Sequence, residues 1–356
     1  MDNIFQTHRS ILDGILASVD DIPNKEASFE QDCHDRIKIA LFFDGTGNNR
    51  EADAATKSWS NIARLFEAAR DESKNGLYAY YISGVGTRLN REELKWKISK
   101  DLRDSVVIGG GGGAGADARL VSGDLGMNDA LKQALNISAR LKDEETERIF
   151  KANESEAFEK INEALSKHRL IRSIDVSVFG FSRGAALARA FVNRLRKACE
   201  KGDDGKLTYA SYPIRFRFLG VFDTVASFGL PSTNLFKQIE MRLPEELEKC
   251  VHYVAAHELR FSFPVDLIRQ EGGYPREDWL ETVFPGVHSD VGGGYEPNAQ
   301  GKTDELARLP LMNMYANSFA SGVRLRDWQS IFEIDDLAEK FALSVETKRL
   351  YRDYLK

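Results

Sequence analysis

Apolar and polar positions fall in blocks along this chain, and the blocks switch period in a regular order. Residues 37–43 (IKIALFF) are almost wholly apolar and stop at Asp44-Gly45-Thr46-Gly47. A short apolar run closed by turn residues predicts a strand buried on both faces of a parallel sheet. Residues 59–69 change to helical spacing at Ile62, Leu65 and Phe66, and 77–82 (LYAYYI) return to a strand before Ser83-Gly84. Residues 127–170 are dense in Glu, Lys and Leu without proline, which predicts one or two surface helices. A strand at 174–179 then leads into a helix from Gly184 to about Cys199, with apolar residues at 188, 191, 192 and 195. Arg194, Arg196 and Lys197 crowd its last turns and Gly202 lies beyond, as a helix C-terminus prefers. A strand at 215–222, a helix over 248–260, a short strand at 282–284 and a helical tail from Leu306 complete the pattern.

Strands alternating with helices predict an α/β fold: a mostly parallel central sheet with helices on both faces. Residues 1–35 read as a polar extension with weak helical periodicity at Ile11, Leu12, Ile15 and Leu16. Residues 36–300 make the body, and 301–356 a helical segment packed on it. The proline-punctuated stretch 231–275 is the candidate lid. In such sheets functional groups gather on loops at the carboxyl ends of the strands.

Those loops carry the chemistry. Gly180-Phe181-Ser182-Arg183-Gly184 is a G-x-S-x-G. That pattern places a serine on a strained strand-to-helix turn, where the flanking Gly180 and Gly184 let strand and helix approach. The pentapeptide alone arises by chance in roughly one chain in ten of this size. Its setting, after a predicted strand and before an amphipathic helix, makes Ser182 the candidate nucleophile of an α/β-hydrolase. The partners of such a serine follow in the order acid, then histidine. Asp223, at the end of the 215–222 strand, is the first candidate acid, with Asp266 and Asp278 as alternatives. His252 and His257 lie in the segment read as helix, so His288, on the glycine-rich stretch after 282–284, is the candidate base. Asp290 is placed either to orient that imidazole or to brace its loop. The oxyanion hole needs two backbone N–H groups. The Arg183 N–H, at the start of the helix, and that of Gly45 or Thr46 are the candidates, with Asp44 as the turn former.

Composition narrows the alternatives. The 356 residues carry a net charge of −6 with no clustering of Lys and Arg, which argues against nucleic acid as a partner. Cys33, Cys199 and Cys250 are far apart, with no metal-ligand spacing, so free thiols in a reducing compartment are expected and no metal or other cofactor is. Residues 109–113 are five glycines, but no Lys and Ser/Thr of a phosphate-binding loop follow them. No run approaches the ~18 apolar residues of a membrane span. The first 21 residues lack the basic leader of a signal peptide.

Four stretches occur together in the same order in one bacterial hydrolase family: Phe43-Asp44-Gly45-Thr46-Gly47-Asn48, Gly180 to Ala185, Phe222-Asp223-Thr224-Val225, and His288-Ser289-Asp290-Val291-Gly292-Gly293-Gly294-Tyr295. Over residues 36–323 the chain resembles the catalytic domain of the first family of type VI secretion lipase effectors. The resemblance implies an α/β-hydrolase fold, a Ser182–His288–Asp223 triad and cleavage of fatty-acyl esters of phospholipids at a membrane surface. It also implies synthesis in the cytoplasm, delivery into the periplasm of rival bacteria, an immunity protein and a secretion-spike partner. The rival expectations are an esterase for small soluble esters and a non-catalytic binding module on the same fold.

Overall fold

A computed structural model describes residues 32–89, 114–227, 240–258, 264–270 and 273–356. Most of the polar extension, the 109–113 glycines and parts of the candidate lid lie outside them.

The predicted strands form. In chain order they are β1 (Arg36–Phe43), β2 (Leu77–Ile82), β3 (Ser173–Phe181), β4 (Glu200–Lys201), β5 (Leu207–Tyr209), β6 (Tyr212–Phe222), β7 (Cys250–Ala255) and β8 (Leu280–Phe284). Six of them make a parallel sheet in the order β2-β1-β3-β6-β7-β8. The β4–β5 hairpin pairs antiparallel with the start of β6. Because the six long strands run in parallel, Asp44, Ser182, Asp223 and the loop that reaches His288 all emerge at one edge of the sheet. Fold class and sheet arrangement are those expected from the sequence.

Helices cover both faces. On one side lie α2 (Ala114–Lys142), α3 (Glu144–Asn153), α4 (Phe158–Ala164) and α5 (Arg183–Lys197), packed on Ile37, Ile39, Leu41, Val176 and Val178. On the other, α1 (Asn61–Ala68), α7 (Arg308–Ala320), α8 (Trp328–Phe332), α9 (Asp335–Phe341) and α10 (Val345–Tyr354) cover Phe42, Phe179, Phe218 and Phe222. The period-2 alternation of the strands sends successive side chains to opposite faces, with Phe42, Phe179, Phe218 and Phe222 together on the second. The rings of Phe42 and Phe179 stack with centroids 4.8 Å apart.

Three expectations change. Residues 127–170 belong to three helices instead of one or two, and α2 is not a surface helix: Met127, Ala130, Leu131, Ala134 and Leu135 are buried on the sheet. Within the segment read as helix over 248–260, Cys250–Ala255 is strand β7, and its Cys250-Val251-His252-Tyr253-Val254 core is buried between β6 and β8. Packing between two strands overrides the helical look that the flanking Glu and Lys residues give it. The lid expectation narrows for the same reason. Residues 250–255 belong to the sheet, and Leu243, Leu247 and Ile268 are core. Arg189 of α5 donates to the carbonyls of Met241, Asp266 and Leu267, which pins this region to the body.

Candidate active site

Ser182 joins β3 to α5 with φ 57° and ψ −126°. A residue with a Cβ enters that region only against steric strain of about 1–3 kcal/mol. Its surroundings impose the turn. The Ser182 N–H donates to the Phe222 carbonyl at 3.0 Å, and its own carbonyl accepts from the N–H groups of Ala185 and Val225 at 3.1 and 3.2 Å. A Cβ on Gly180 would sit 2.6 Å from the Ala185 Cα, and one on Gly184 2.2 Å from the Asp44 carbonyl oxygen. Only glycine lets β3, α5 and the end of β1 converge here.

Asp223 follows β6 with φ 38°, a second positive value at this edge. Its N–H donates to the Tyr253 carbonyl at 2.7 Å, and its Oδ1 accepts from the Ala255 N–H at 2.9 Å. Its Oδ2 accepts from His288 Nδ1 at 2.6 Å. His288 opens the short helix α6 (His288–Gly292), and its ring lies 4.6 Å, centroid to centroid, from that of Phe181, the neighbour of Ser182. With Nδ1–H directed at a carboxylate, the other ring nitrogen is left as the proton acceptor. Both side chains are buried.

The other candidates have structural partners. Asp290 accepts the Val287 N–H at 2.9 Å, so it braces the loop and leaves the imidazole to Asp223. Asp266 accepts the Ala226 N–H at 2.8 Å and donates its own N–H to the Thr224 carbonyl, which steadies the segment after Asp223. Asp278 pairs with Arg276 at the surface. His257 accepts the Gly286 N–H at 3.0 Å. His252 is wholly buried, with Nδ1 3.0 Å from Glu281 and Nε2 accepting the Thr224 N–H at 3.2 Å. Burial holds its pKa below the usual histidine range, so it is neutral.

Of the two candidate oxyanion donors on this loop, the Gly45 N–H donates to the Asp44 carboxylate at 2.7 Å. The Thr46 N–H donates to no group among the described residues. Asp44 is buried and also accepts the Tyr81 hydroxyl. Burial, opposed by hydrogen bonds from Ser60, Tyr81 and Gly45, pushes its carboxyl up to about 6. On the helix side, the Arg183 N–H stands at the first position of α5, where no intrahelical acceptor exists. The Arg183 side chain is half-buried and forms no ion pair among the described residues; burial pulls its pKa below the usual range.

Glu258 is an addition that sequence reasoning missed. One oxygen of it, one of Asp223 and one nitrogen of His288 lie within 4.8 Å of one another. Its place depends on where β7 ends, and a segment read as helix carried no sign of it.

The sequence matches the family of T6SS Tle1-like phospholipase effector catalytic domains over residues 38–199 and 193–317. An uncharacterized protein from Pseudomonas aeruginosa of known crystal structure is 30% identical over 98% of this chain, with a TM-score of 0.70. The chain spans 54% of that protein's length. The Tle1 effector bound to the VgrG spike of the type VI secretion system is 19% identical over 90% of this chain and 78% of its own, at a TM-score of 0.52, a likeness of fold. No protein of curated function matches. With the motifs and the α/β sheet in agreement, this chain belongs to the family of Tle1-like phospholipase effector catalytic domains.

Proposed function

We propose that this chain is a serine hydrolase that cleaves fatty-acyl esters of phospholipids, in the manner of a phospholipase A. The observation that carries the reading is the strained Ser182, at φ 57°, whose neighbour Phe181 packs on the ring of His288 in the buried His288–Asp223 pair. Strain of that kind at a loop beside titratable groups is a mark of function, since packing alone gives no reason to keep it.

In the proposed reaction His288 Nε2 takes the Ser182 hydroxyl proton as Oγ attacks the ester carbonyl. Asp223 holds the ring in the required tautomer and stabilises the imidazolium. The N–H groups of Arg183 and Thr46 receive the oxyanion, each worth about 3–4 kcal/mol to the transition state. The tetrahedral intermediate collapses, His288 returns the proton to the departing lysophospholipid oxygen, and the acyl group stays on Ser182. Water, deprotonated by the same imidazole, then releases the fatty acid and restores the serine. The Arg183 guanidinium, without an ion pair among the described residues, supports a phospholipid over a neutral ester, because it offers a cation to the substrate phosphate.

The proposal includes delivery by a type VI apparatus into the periplasm of a rival, docking on a spike protein and neutralisation by an immunity protein, and membership of the effector family supports it. No helix among the described residues is long and apolar enough to cross a membrane. Vesicles of phosphatidylethanolamine and phosphatidylglycerol test the activity. The expected result is release of fatty acid and lysophospholipid, abolished in Ser182→Ala. Hydrolysis of short soluble esters with intact vesicles would instead make the chain a small-ester esterase.

A further inference from the structure

The described parts of the candidate lid are strand β7, the core residues Leu243, Leu247 and Ile268, and an exposed stretch that carries Val265 and Leu267. A second region offers space. A cavity of about 590 Å³ opens between the turn that carries His288, the 295–306 loop and α10. That volume lies within the roughly 300–1,000 Å³ of small-molecule sites. Val287, Leu306, Leu350 and Tyr351 supply an apolar lining.

The walls are built. Glu305 accepts the Ser344 N–H at 3.0 Å, the Ser344 hydroxyl at 2.6 Å and the Thr347 hydroxyl at 2.7 Å, which fastens the start of α10 to the body. The opposite wall is set by the Asp290–Val287 bond and by the paired backbones of His257 and Gly286. Pro285, Val287 and Asp290, which line the cavity, belong to the turn that carries the candidate base His288.

Its outer part has a different chemistry. Tyr295, Leu350 and Tyr354 are 43%, 54% and 55% exposed there, large side chains left to water. Exposed tyrosines beside aliphatic groups suit a membrane interface, with an apolar body and a wet tip. Lys302 and Glu296 also line this exposed part, and neither forms an ion pair among the described residues. A zwitterionic head group presents a phosphate to the first and an ammonium to the second, and tyrosine rings favour a quaternary ammonium.

We propose that this cavity binds one acyl chain of a zwitterionic glycerophospholipid, with the head group at Lys302 and Glu296. The inference rests on the phospholipase reading and adds a lipid site that the triad does not supply. The test uses the full chain with Ser182→Ala, which blocks turnover, and palmitoyl lysophosphatidylcholine carrying a photoactivatable diazirine on its chain. Crosslinks mapped by mass spectrometry should fall in residues 295–306 and 345–354. Leu350→Glu, at an exposed position, should reduce them about tenfold. Val345→Glu, 84% exposed on the same helix but outside the lining, should leave them in place. Crosslinks elsewhere, or labelling of Leu350→Glu equal to its parent, would overturn the site. Reaction of Ser182 with a fluorophosphonate in the otherwise unaltered chain reports on the hydrolase reading by itself. A reactive Ser182 with failed crosslinking removes only the cavity, and the reverse result removes only the enzyme.

Discussion

Two histidine–carboxylate pairs stand at the same end of this sheet. His288 Nδ1 lies 2.6 Å from Asp223, and His252 Nδ1 lies 3.0 Å from Glu281. Both imidazoles are buried and both have one nitrogen against an acid. What separates them is the second nitrogen. That of His252 accepts the Thr224 N–H, and burial keeps the ring neutral, so both of its hydrogen-bonding sites serve the fold. That of His288 receives no hydrogen bond from the described residues, and its ring leans on the neighbour of Ser182. A histidine–carboxylate bond therefore identifies neither a base nor a strut. The open nitrogen, and what stands in front of it, decides.

The largest effects expected from breaking this comparison are on turnover. Ser182→Ala and His288→Ala should each lower kcat by roughly 10⁴- to 10⁶-fold on vesicles, with urea unfolding of Ser182→Ala close to the parent. Asp223→Asn should cost about 10⁴-fold through loss of the correct tautomer. His252→Ala should do the reverse. It leaves Glu281 without its imidazole partner and the Thr224 N–H without an acceptor, so urea denaturation should report a loss of about 3 kcal/mol. Its kcat, by contrast, should fall less than about tenfold, an effect under 1.4 kcal/mol. A smaller stability loss, about 1–3 kcal/mol, is expected for Gly184→Ala, whose new methyl would lie 2.2 Å from the Asp44 carbonyl oxygen.

The smallest effect sharpens the role of Asp44. Its carboxyl, raised by burial to about 6 from an ordinary 3.8, binds a proton more tightly in the folded chain than in the unfolded one. The folded state is therefore favoured below pH 3.8, and this contribution is lost as pH rises through about 6. Urea midpoints measured between pH 4 and pH 7 should fall less steeply in Asp44→Asn than in the parent.

Much of this was legible in the sequence, for local reasons. The Ser182 elbow needs two glycines, a strand before it and an apolar stripe after it, all within residues 174–199. Asp223 and His288 follow recognisable strand ends in the required order. The strand that carries His252 was not legible, because its six residues lie between charged neighbours and its burial depends on β6 and β8. Gly45 could not be told from Thr46, since the choice depends on the Asp44 carboxylate turning back onto the next N–H. The cavity between the 285–290 turn and α10 was invisible for a further reason: it exists only where α10 comes to rest against the 295–306 loop.

The most direct test of the central claim is reaction of the native chain with a fluorophosphonate, followed by mass spectrometry of its peptides. The account predicts one adduct on Ser182, absent in Ser182→Ala and after unfolding in urea, and strongly slowed in His288→Ala. An unreactive native Ser182, or an adduct that forms equally well in the unfolded chain, would contradict it.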